Sequence, residues 1–470
     1  MLPDPTASVL GPDPTHRRCV LNGNAFQQDA VQSFGGWQYA CYYAALPAAP
    51  EPLYVHLARR QLLLPAGPWE TLVFEDYPQT TDDGHNTVQL GICPGDGTVH
   101  LSYDHHCDRI RYRHSIPGVA HSPTSFPWSA ALFTPHLTRL PGLGPEHDAL
   151  LGYVTYPRFV PLESALLFSF RTGKAGLGDD HVCVYSSPSS SPSLSSKEKA
   201  GTYAYNPPRT ILRGVANNPY VHGLDFRRGR LHATWVYRGF VHYEGWDDPR
   251  DVQHKRQAGP NSGENNYDIC YAYADVQSPS SAGGGGAEAL GVWYNGAGEV
   301  VAGLGEEGVR PDAGGITAFA IPKGSGLANQ EAQAVDGRGG VHVLNRDNLD
   351  GEMRWKHYYR SPEGTWTQHA LPHVHGVKGG KRGRLAISKD DDLYLILPDH
   401  STPGLTILKA SRDSGYAKYE LVWRREEGFP PTEPLVDTKR LEYDGVLSVF
   451  TRAEKKGGEG VEVVVLDFVV

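Results

Sequence analysis

The stretch Asp96-Gly97-Thr98-Val99-His100-Leu101 holds the pattern that decides the fold, a tight Asp-Gly turn followed at once by alternating apolar residues. Alternation with a period of two beside a glycine turn is typical of a β-hairpin. The unit returns at residues 228–233, 339–343, 391–395 and 444–448, and more loosely at 52–55 and 164–168. These seven copies predict an all-β fold, a seven-bladed β-propeller.

The composition fits many short strands joined by turns. The 470 residues include 54 glycines, 36 prolines, 25 tyrosines and 9 tryptophans. Length alone suggests two or three domains, but the repeat distributes this length over blades, so residues 1–470 are expected to form one propeller. We expect an N-terminal arm at residues 1–29, and flexible loops in the Ser/Pro-rich segment 186–200 and the Ser/Gly-rich segment 278–287.

Charge and cysteine content exclude several classes of function. The net charge of -9 argues against nucleic acid as the main partner, because phosphate binding requires a basic surface. No apolar run approaches the roughly 20 residues of a membrane helix, and no secretory signal is visible at the N-terminus. The six cysteines lack the paired spacing of a zinc site. We therefore expect a monomer with neither a nucleic-acid nor a membrane partner.

Three histidines share one position in the repeat. His100, His232 and His342 each follow the turn of a hairpin by the same register. A position that recurs with the repeat is more simply explained by packing than by chemistry, so we expect these histidines to be structural.

Strand ends indicate where a site would form. In an antiparallel hairpin the start of the first strand lies beside the end of the second, and in a propeller these ends meet at one mouth of the central channel. The residues at such ends are His85, Asn86, His105, His106, Tyr156, Arg158, Arg171, Asn217, Tyr220, His222 and Arg238. A concave mouth rich in cationic and polar groups predicts an anionic ligand.

This set of side chains has the groups needed for β-elimination at C5 of a uronic acid. The reaction needs a base for the C5 proton, an acid for the leaving oxygen, and donors that stabilise charge beside the carboxylate. His85, His105 and Tyr156 can act as base or acid, and the sequence leaves open which does which. Arg171, together with Asn86, can hold the carboxylate. The paired carboxylates of a glycosidase are not evident, and no nucleotide or flavin motif competes.

The segment from Asp83 to His105 resembles the BNR-4 repeat family. It contains Asp83-Gly84-His85-Asn86-Thr87 and Asp104-His105, and the likeness continues through Tyr156-Pro157-Arg158-Phe159, Phe170-Arg171-Thr172-Gly173 and Asn217-Asn218-Pro219-Tyr220. This family is similar to seven-bladed propeller polysaccharide lyases, which include ulvan lyases and the rhamnose–glucuronate lyases of polysaccharide lyase family 42. The resemblance extends from about Ala30 to Tyr273.

The resemblance implies a lyase that cleaves a 4-linked uronic acid, with L-rhamnose-α-1,4-D-glucuronate as the expected linkage and an acidic polysaccharide or oligosaccharide as partner. His85, His105, Tyr156 and Arg171 would then be catalytic, and Asn86, Arg158, Asn217, Tyr220, His222 and Arg238 would bind substrate. The register between His105 and His106 is open by one residue. His222 stands where the family more often has asparagine. No cofactor is needed for the chemistry, although a structural calcium is compatible with the family, and the protein would act outside the cell.

Two other functions remain open from sequence. Ser361-Pro362-Glu363-Gly364-Thr365-Trp366 and Ser411-Arg412-Asp413-Ser414-Gly415 are similar to the turns of sialidases, which suggests a sialidase-like glycoside hydrolase. A propeller that binds a glycan without catalysis is the non-enzymatic alternative, because fold alone does not determine function.

Overall fold

We analysed a computed structural model of the chain. It describes residues 1–63, 66–174, 177–187, 203–215, 217–239, 265–277, 289–303, 308–374, 377, 381–399 and 401–470. Most of the predicted loop 186–200 and all of the predicted loop 278–287 lie outside these residues. Residues 1–168, 184–207 and 381–470 form one compact unit, and residues 169–183 and 208–380 form a second. No helix within the described ranges is long and apolar enough to cross a membrane.

About half of the residues lie in strands, which run in chain order as follows. The first nine are β1 (Thr6–Pro12), β2 (Val31–Phe34), β3 (Trp37–Ala45), β4 (Leu53–Gln61), β5 (Glu70–Gln79), β6 (Val88–Ile92), β7 (Val99–Tyr103), β8 (His106–Asp108) and β9 (Tyr112–His114). The next eleven are β10 (Val154–Pro161), β11 (Leu166–Lys174), β12 (Leu177–Ser186), β13 (Ala204–Tyr205), β14 (Arg209–Leu212), β15 (Asn217–Arg227), β16 (Arg230–Gly239), β17 (Asn266–Gln277), β18 (Ala289–Tyr294), β19 (Val300–Ala302) and β20 (Thr317–Phe319).

The remaining strands are β21 (Ala332–Val335), β22 (Val341–Asp347), β23 (Arg354–Arg360), β24 (Trp366–Ala370), β25 (Arg384–Ile387), β26 (Leu393–Pro398), β27 (Leu405–Ala410), β28 (Tyr419–Arg425), β29 (Leu435–Asp437), β30 (Val446–Glu454) and β31 (Val461–Val469). The described α-helices are α1 (Asp148–Leu151) and α2 (Thr438–Asp444). Short 3-10 turns occupy Ala25–Gln27, Pro123–Ser125, Ala130–Leu132, Pro145–His147 and Arg412–Ser414.

These strands form seven sheets within the described residues, which confirms the predicted all-β, seven-bladed β-propeller class. The strand orders are β2-β3-β4-β5 in sheet 1, β6-β7-β9 in sheet 2, β13-β12-β11-β10-β8 with β14 beside β12 in sheet 3, β15-β16-β17-β18-β19 with β20 beside β17 in sheet 4, β21-β22-β23-β24 in sheet 5, β25-β26-β27-β28 in sheet 6, and β1-β31-β30-β29 in sheet 7.

The predicted hairpin turns lie between paired strands in most sheets. Each needs a left-handed residue, because the tight turn reverses the chain with positive φ. The residues with positive φ are Gly97, Gly229, Gly339, Asp391 and Gly445. Three copies depart from the repeat, one of them residues 164–168, where no residue between β10 and β11 has positive φ. Residues 52–55 begin β4, so the first turn of sheet 1 is instead Gly35–Gly36, and α2 precedes the turn at Gly445.

The two ends of the chain meet in sheet 7. Residues of β1, which belong to the predicted N-terminal arm, pair antiparallel with β31, from Thr6 opposite Asp467 to Pro12 opposite Glu462. A buried ionic network reinforces this sheet. Asp467 accepts hydrogen bonds from Arg60 at 2.7 Å and Arg440 at 2.8 Å. All three side chains are at most 10% exposed, so the network joins β4 of sheet 1 to the last strand of the chain.

The three repeat histidines are structural, as predicted. His100, His232 and His342 are 0%, 4% and 0% exposed. The Nδ1 atom of each histidine forms a hydrogen bond with a residue of the next strand. That residue precedes, by two positions, the one that lies directly opposite the histidine. Those residues are Tyr112, Tyr271 at 2.9 Å and His357 at 3.0 Å. The repeated position therefore supplies a diagonal hydrogen bond across the second and third strands of a sheet.

Asp467→Asn is expected to lower the free energy of unfolding by about 3–5 kcal/mol, because it leaves two buried guanidinium groups without their shared counterion. Urea denaturation of the variant measures this loss. Asp312→Asn is the matched control, since Asp312 pairs with Arg310 at an exposed site and should cost less than about 1 kcal/mol. Equal losses in the two variants would contradict a structural role for the Asp467 network.

Stability should fall as the solution is acidified below the ordinary histidine pKa. Burial lowers the pKa of His232 to about 3, and burial lowers that of His181 to about 4. Because both values are below that of the unfolded chain, about 6.5, the unfolded state binds more protons from there downward. For each of the two histidines, the free energy of unfolding should therefore fall by up to about 1.4 kcal/mol per pH unit. This decrease ends when the pH reaches the pKa of that histidine in the folded state.

The pH dependence can be assigned to one residue. His232→Asn keeps a donor or acceptor near the Nδ1 position and removes the titration. Urea midpoints of the variant should therefore fall less steeply than those of the wild type between neutral and acidic pH. An unchanged slope would show that His232 does not contribute.

Candidate functional site

His85 and His106 form a stacked pair bridged by one carboxylate. Their ring centres lie 3.9 Å apart with the planes inclined by 19°. Nδ1 of His85 is 2.7 Å from one oxygen of Asp83, and Nδ1 of His106 is 2.6 Å from the other. The side chains of Asp83, His85 and His106 are 24%, 20% and 14% exposed, so they are accessible while held in place. We call these three residues the histidine cluster.

The electrostatics of the cluster favour an ionised carboxylate. Partial burial by itself raises the pKa of Asp83, but hydrogen bonds from His106 and His85 and their charges outweigh burial and hold the pKa well below its usual range. Asp83 therefore accepts a hydrogen bond from each ring and carries no proton itself.

The three residues of the histidine cluster were also tested as a metal site. Their ligand atoms lie within 4.8 Å of one another, which is close enough for three groups to share a divalent cation. However, ligands of a tetrahedral zinc ion at about 2.0–2.1 Å are separated by about 3.3 Å, whereas the two Nδ1–oxygen distances are 2.7 and 2.6 Å. The present geometry is that of hydrogen bonds, and an ion would require the carboxylate to move away.

His105 does not occupy the position that the sequence analysis assigned to it. It is 1% exposed, and its Nε2 accepts a hydrogen bond from the backbone N–H of Arg111 at 2.7 Å. Burial, with the charges of Arg111 and His136, holds the pKa of His105 well below its ordinary value. His106 is thus the histidine that contacts His85 and Asp83, whereas His105 is a buried support of the loop, and the catalytic role of His105 stays a prediction.

Asn86 is likewise a buried support. It is 1% exposed and donates from Nδ2 to Asp104 at 2.7 Å. The same carboxylate accepts from Tyr77 at 2.5 Å and Gln79 at 3.1 Å. The amide nitrogen of Asn86 is thus engaged with Asp104 and helps to hold the loop that carries the histidines, and its contact with a substrate carboxylate stays a prediction.

Phe26, Tyr156 and Arg382 border the histidine cluster. Phe26 stacks on the face of His85 at 4.7 Å and 12°, and contacts Tyr156 at 5.1 Å. On another side, the guanidinium of Arg382 lies 4.7 Å from the centre of the Phe26 ring. Tyr156 is 5.7 Å from His85, as the sequence analysis expected of a residue that shares its site. Phe26 was not predicted as a site residue, because it lies in the N-terminal segment, outside the repeated hairpins from which the site was predicted.

The backbone is strained where these side chains converge. Tyr156 has a φ of +54°, and Asp104 and Cys107 have φ values of +64° and +56°. Positive φ is a rare conformation for a residue as bulky as tyrosine, and such strain is concentrated at functional sites. Three such residues around one pair of histidines therefore mark this region of the first unit as a candidate active site.

A second cluster lies within the other unit and consists of Arg171, Tyr220 and Arg238, which we call the arginine cluster. The Arg171 guanidinium lies 5.4 Å from the centre of the Tyr220 ring, and Arg238 donates to the Tyr220 hydroxyl at 3.4 Å. All three are at most 3% exposed. Burial alone would raise the pKa of Tyr220, but the charges and hydrogen bonds of the two arginines lower it. This arrangement stabilises negative charge.

The remaining predicted residues are placed as follows. Both ring nitrogens of His222 are hydrogen-bonded, Nδ1 to the N–H of Glu331 at 3.0 Å and Nε2 to Asn345 at 3.3 Å. His222 is 1% exposed and links Glu331 to Asn345 through these bonds, and its role in substrate binding stays a prediction. Asn217 accepts from Tyr267 at 2.8 Å, and Arg158 is 6% exposed.

The two clusters supply different chemistry. The histidine cluster offers two imidazole groups and a carboxylate next to a phenol. The arginine cluster offers positive charge in a dry environment. Asp83, the carboxylate at the centre of the histidine cluster, was present in the sequence motif but was not predicted to act, since its partner His106 lies 23 residues away.

Comparison with known proteins agrees with this architecture. The model of a BNR repeat-containing family matches residues 37–374, more than half of the chain. The crystal structure of the polysaccharide lyase Uly1 is similar over 98% of this chain and 97% of Uly1, with 16% sequence identity and a TM-score of 0.67. This likeness establishes the fold.

Weaker likenesses were found to a sialidase of Trypanosoma rangeli in complex with sialic acid (TM-score 0.41, 10% identity, 99% of this chain and 59% of the sialidase) and to the Aleuria aurantia lectin (TM-score 0.35, 10% identity, 87% and 98%). No curated protein sequence matches the chain. The family match over residues 37–374, together with the seven sheets, identifies the chain as a member of the BNR repeat-containing family.

Proposed function

We propose that this protein is a polysaccharide lyase that cleaves a 4-linked uronic acid by β-elimination and releases a product with an unsaturated uronate at its new end. The observation that carries the proposal is the pair of imidazoles on the carboxylate of Asp83, next to the strained Tyr156. The family and the fold shared with the polysaccharide lyase Uly1 support the same class of reaction.

The elimination balances without a cofactor. A base removes the proton from C5, the C4–O bond breaks, and the electron pair forms a double bond between C4 and C5. The departing oxygen takes a proton from an acid, and exchange with water restores both groups. His85, His106 and Tyr156 are the proton carriers of the site, and an imidazole is suited to either role near neutral pH.

The substrate assignment follows from the charge that the reaction must stabilise. Proton loss at C5 develops negative charge on the uronate carboxylate, and cationic donors lower this barrier. Arg171 remains the residue that we predict to neutralise the carboxylate, and Tyr220 and Arg238 remain predicted substrate-binding residues. The rhamnose–glucuronate linkage is the specific substrate that we propose, and gum arabic and ulvan are the polymers with which to test it.

The reaction class is tested by incubating the protein with gum arabic and with ulvan while following near-ultraviolet absorbance. Elimination creates a conjugated double bond, so the absorbance should rise with one of the polymers. Release of reducing ends without absorbance would overturn the proposal in favour of a sialidase-like hydrolase. Binding without either signal would favour the glycan-binding alternative.

His106→Ala should lower kcat by about 10²–10⁴-fold, because a proton carrier is lost. The matched control is His121→Ala, since His121 is exposed and bonds only to the carbonyl of Pro94 among the described residues. Initial rates of absorbance, with circular dichroism as the measure of folding, compare the two variants. Equal activity in both would rule out His106 as a proton carrier.

His105→Ala should instead lower stability. The Arg111 N–H loses its buried acceptor, which costs about 1–3 kcal/mol, measured by urea denaturation. A His105→Ala variant with wild-type stability and a kcat as low as that of His106→Ala would restore the original assignment of His105.

A further inference from the structure

The carboxylate of Asp83 constrains where the protons of the two histidines reside. An ionised carboxylate has no proton to donate and can only accept hydrogen bonds. Because its oxygens lie 2.7 and 2.6 Å from the two Nδ1 atoms, each Nδ1 must carry a hydrogen. A neutral imidazole has only one N–H. When neutral, both rings therefore have an unprotonated Nε2.

The loop holds the carboxylate in this orientation. The oxygen that contacts the His85 ring also accepts the backbone N–H of His85 at 3.0 Å, and the carbonyl of Asp83 accepts the N–H of Asn86 at 2.9 Å. The next carbonyl, that of Gly84, accepts from Asn24 at 2.7 Å. Asp83 is thus fixed by its own turn and by the N-terminal segment.

The rings are also restrained against rotation. His106 covers one face of His85 at 3.9 Å, and Phe26 covers the other at 4.7 Å. A ring packed on both faces keeps its edge direction, so the hydrogen bond at Nδ1 sets the direction of Nε2 as well.

We propose that Asp83 is a positioning residue that locks His85 and His106 together in the Nδ1–H tautomer, so that both present Nε2 as a proton acceptor. The inference deepens the proposed lyase function and rests on it for its catalytic consequence. One side chain thereby prepares two imidazoles, and its own contacts are with the histidines rather than with substrate.

Replacement by an amide makes a specific prediction. In Asp83→Asn the side-chain oxygen can still accept from one Nδ1–H, but the NH₂ group faces the other Nδ1 and must donate to it. That ring then carries its proton on Nε2 and can no longer accept there. Asp82→Asn is the matched control, because Asp82 accepts from the backbone N–H groups of Arg18 and Cys19 instead of from the histidines.

The tautomers are measured by nitrogen NMR of the full chain labelled at histidine, at an alkaline pH above which the ring signals of both histidines no longer change. Signals are assigned from their loss in His85→Asn and His106→Asn. The wild type and Asp82→Asn should show Nδ1–H for both rings, and Asp83→Asn should show Nε2–H for one. An Nε2–H signal for either ring in the wild type overturns the proposal even if Asp83→Asn fails to fold.

Kinetics provide the second readout. Asp83→Asn should lower kcat by about 10⁴-fold with KM little changed, as when the carboxylate that orients a catalytic histidine is replaced by its amide, and Asp82→Asn should change neither. Unchanged tautomers and kcat in Asp83→Asn contradict the positioning role. If the NMR spectra show the expected tautomers but the protein cleaves no uronate polymer, the positioning role of Asp83 is supported and the lyase function is refuted.

Discussion

The antiparallel pairing of β1 with β31 is the constraint on which the first unit depends. It joins the two ends of the chain in one sheet, and the buried charges of Arg60, Arg440 and Asp467 reinforce it. The same pairing fixes where the N-terminal segment continues. Residues after β1 reach the loop of the histidine cluster, where Asn24 donates to the carbonyl of Gly84 and where Phe26 covers His85. Closure of the sheet and assembly of the site therefore use one segment.

Histidine has two distinct roles in this protein, and hydrogen bonding and burial separate them. At the repeat position the ring is buried and bonds across the hairpin, as in His232 with Tyr271. In the histidine cluster the rings remain partly exposed and share one carboxylate. Burial lowers the pKa of His100 and His232, whereas the rings of the histidine cluster are partly exposed to solvent. A residue type alone consequently says little about function until its partners are known.

The sequence predicted the repeat because turn glycines and alternating strands are local features. It left the second histidine of the site open by one residue for a physical reason. β7 ends at Tyr103, and the positive φ of Asp104 then breaks the alternation of side chains, so counting from the strand cannot tell His105 from His106. The hydrogen bonds of Asn86 and His222 could not be predicted because their partners are distant in sequence; His222 bonds to Glu331, which is 109 residues away. Long-range partners of buried polar groups leave no local pattern.

The central claim is that the histidine cluster serves elimination rather than hydrolysis. Its most direct test is the mass of the products formed from gum arabic or ulvan in water enriched in heavy oxygen. Elimination adds no water, so the account predicts a product that lacks the label and is lighter by one water than the hydrolysis product. Heavy oxygen in the newly formed end, lost in His106→Ala, would mean that water attacks the bond and would contradict the account.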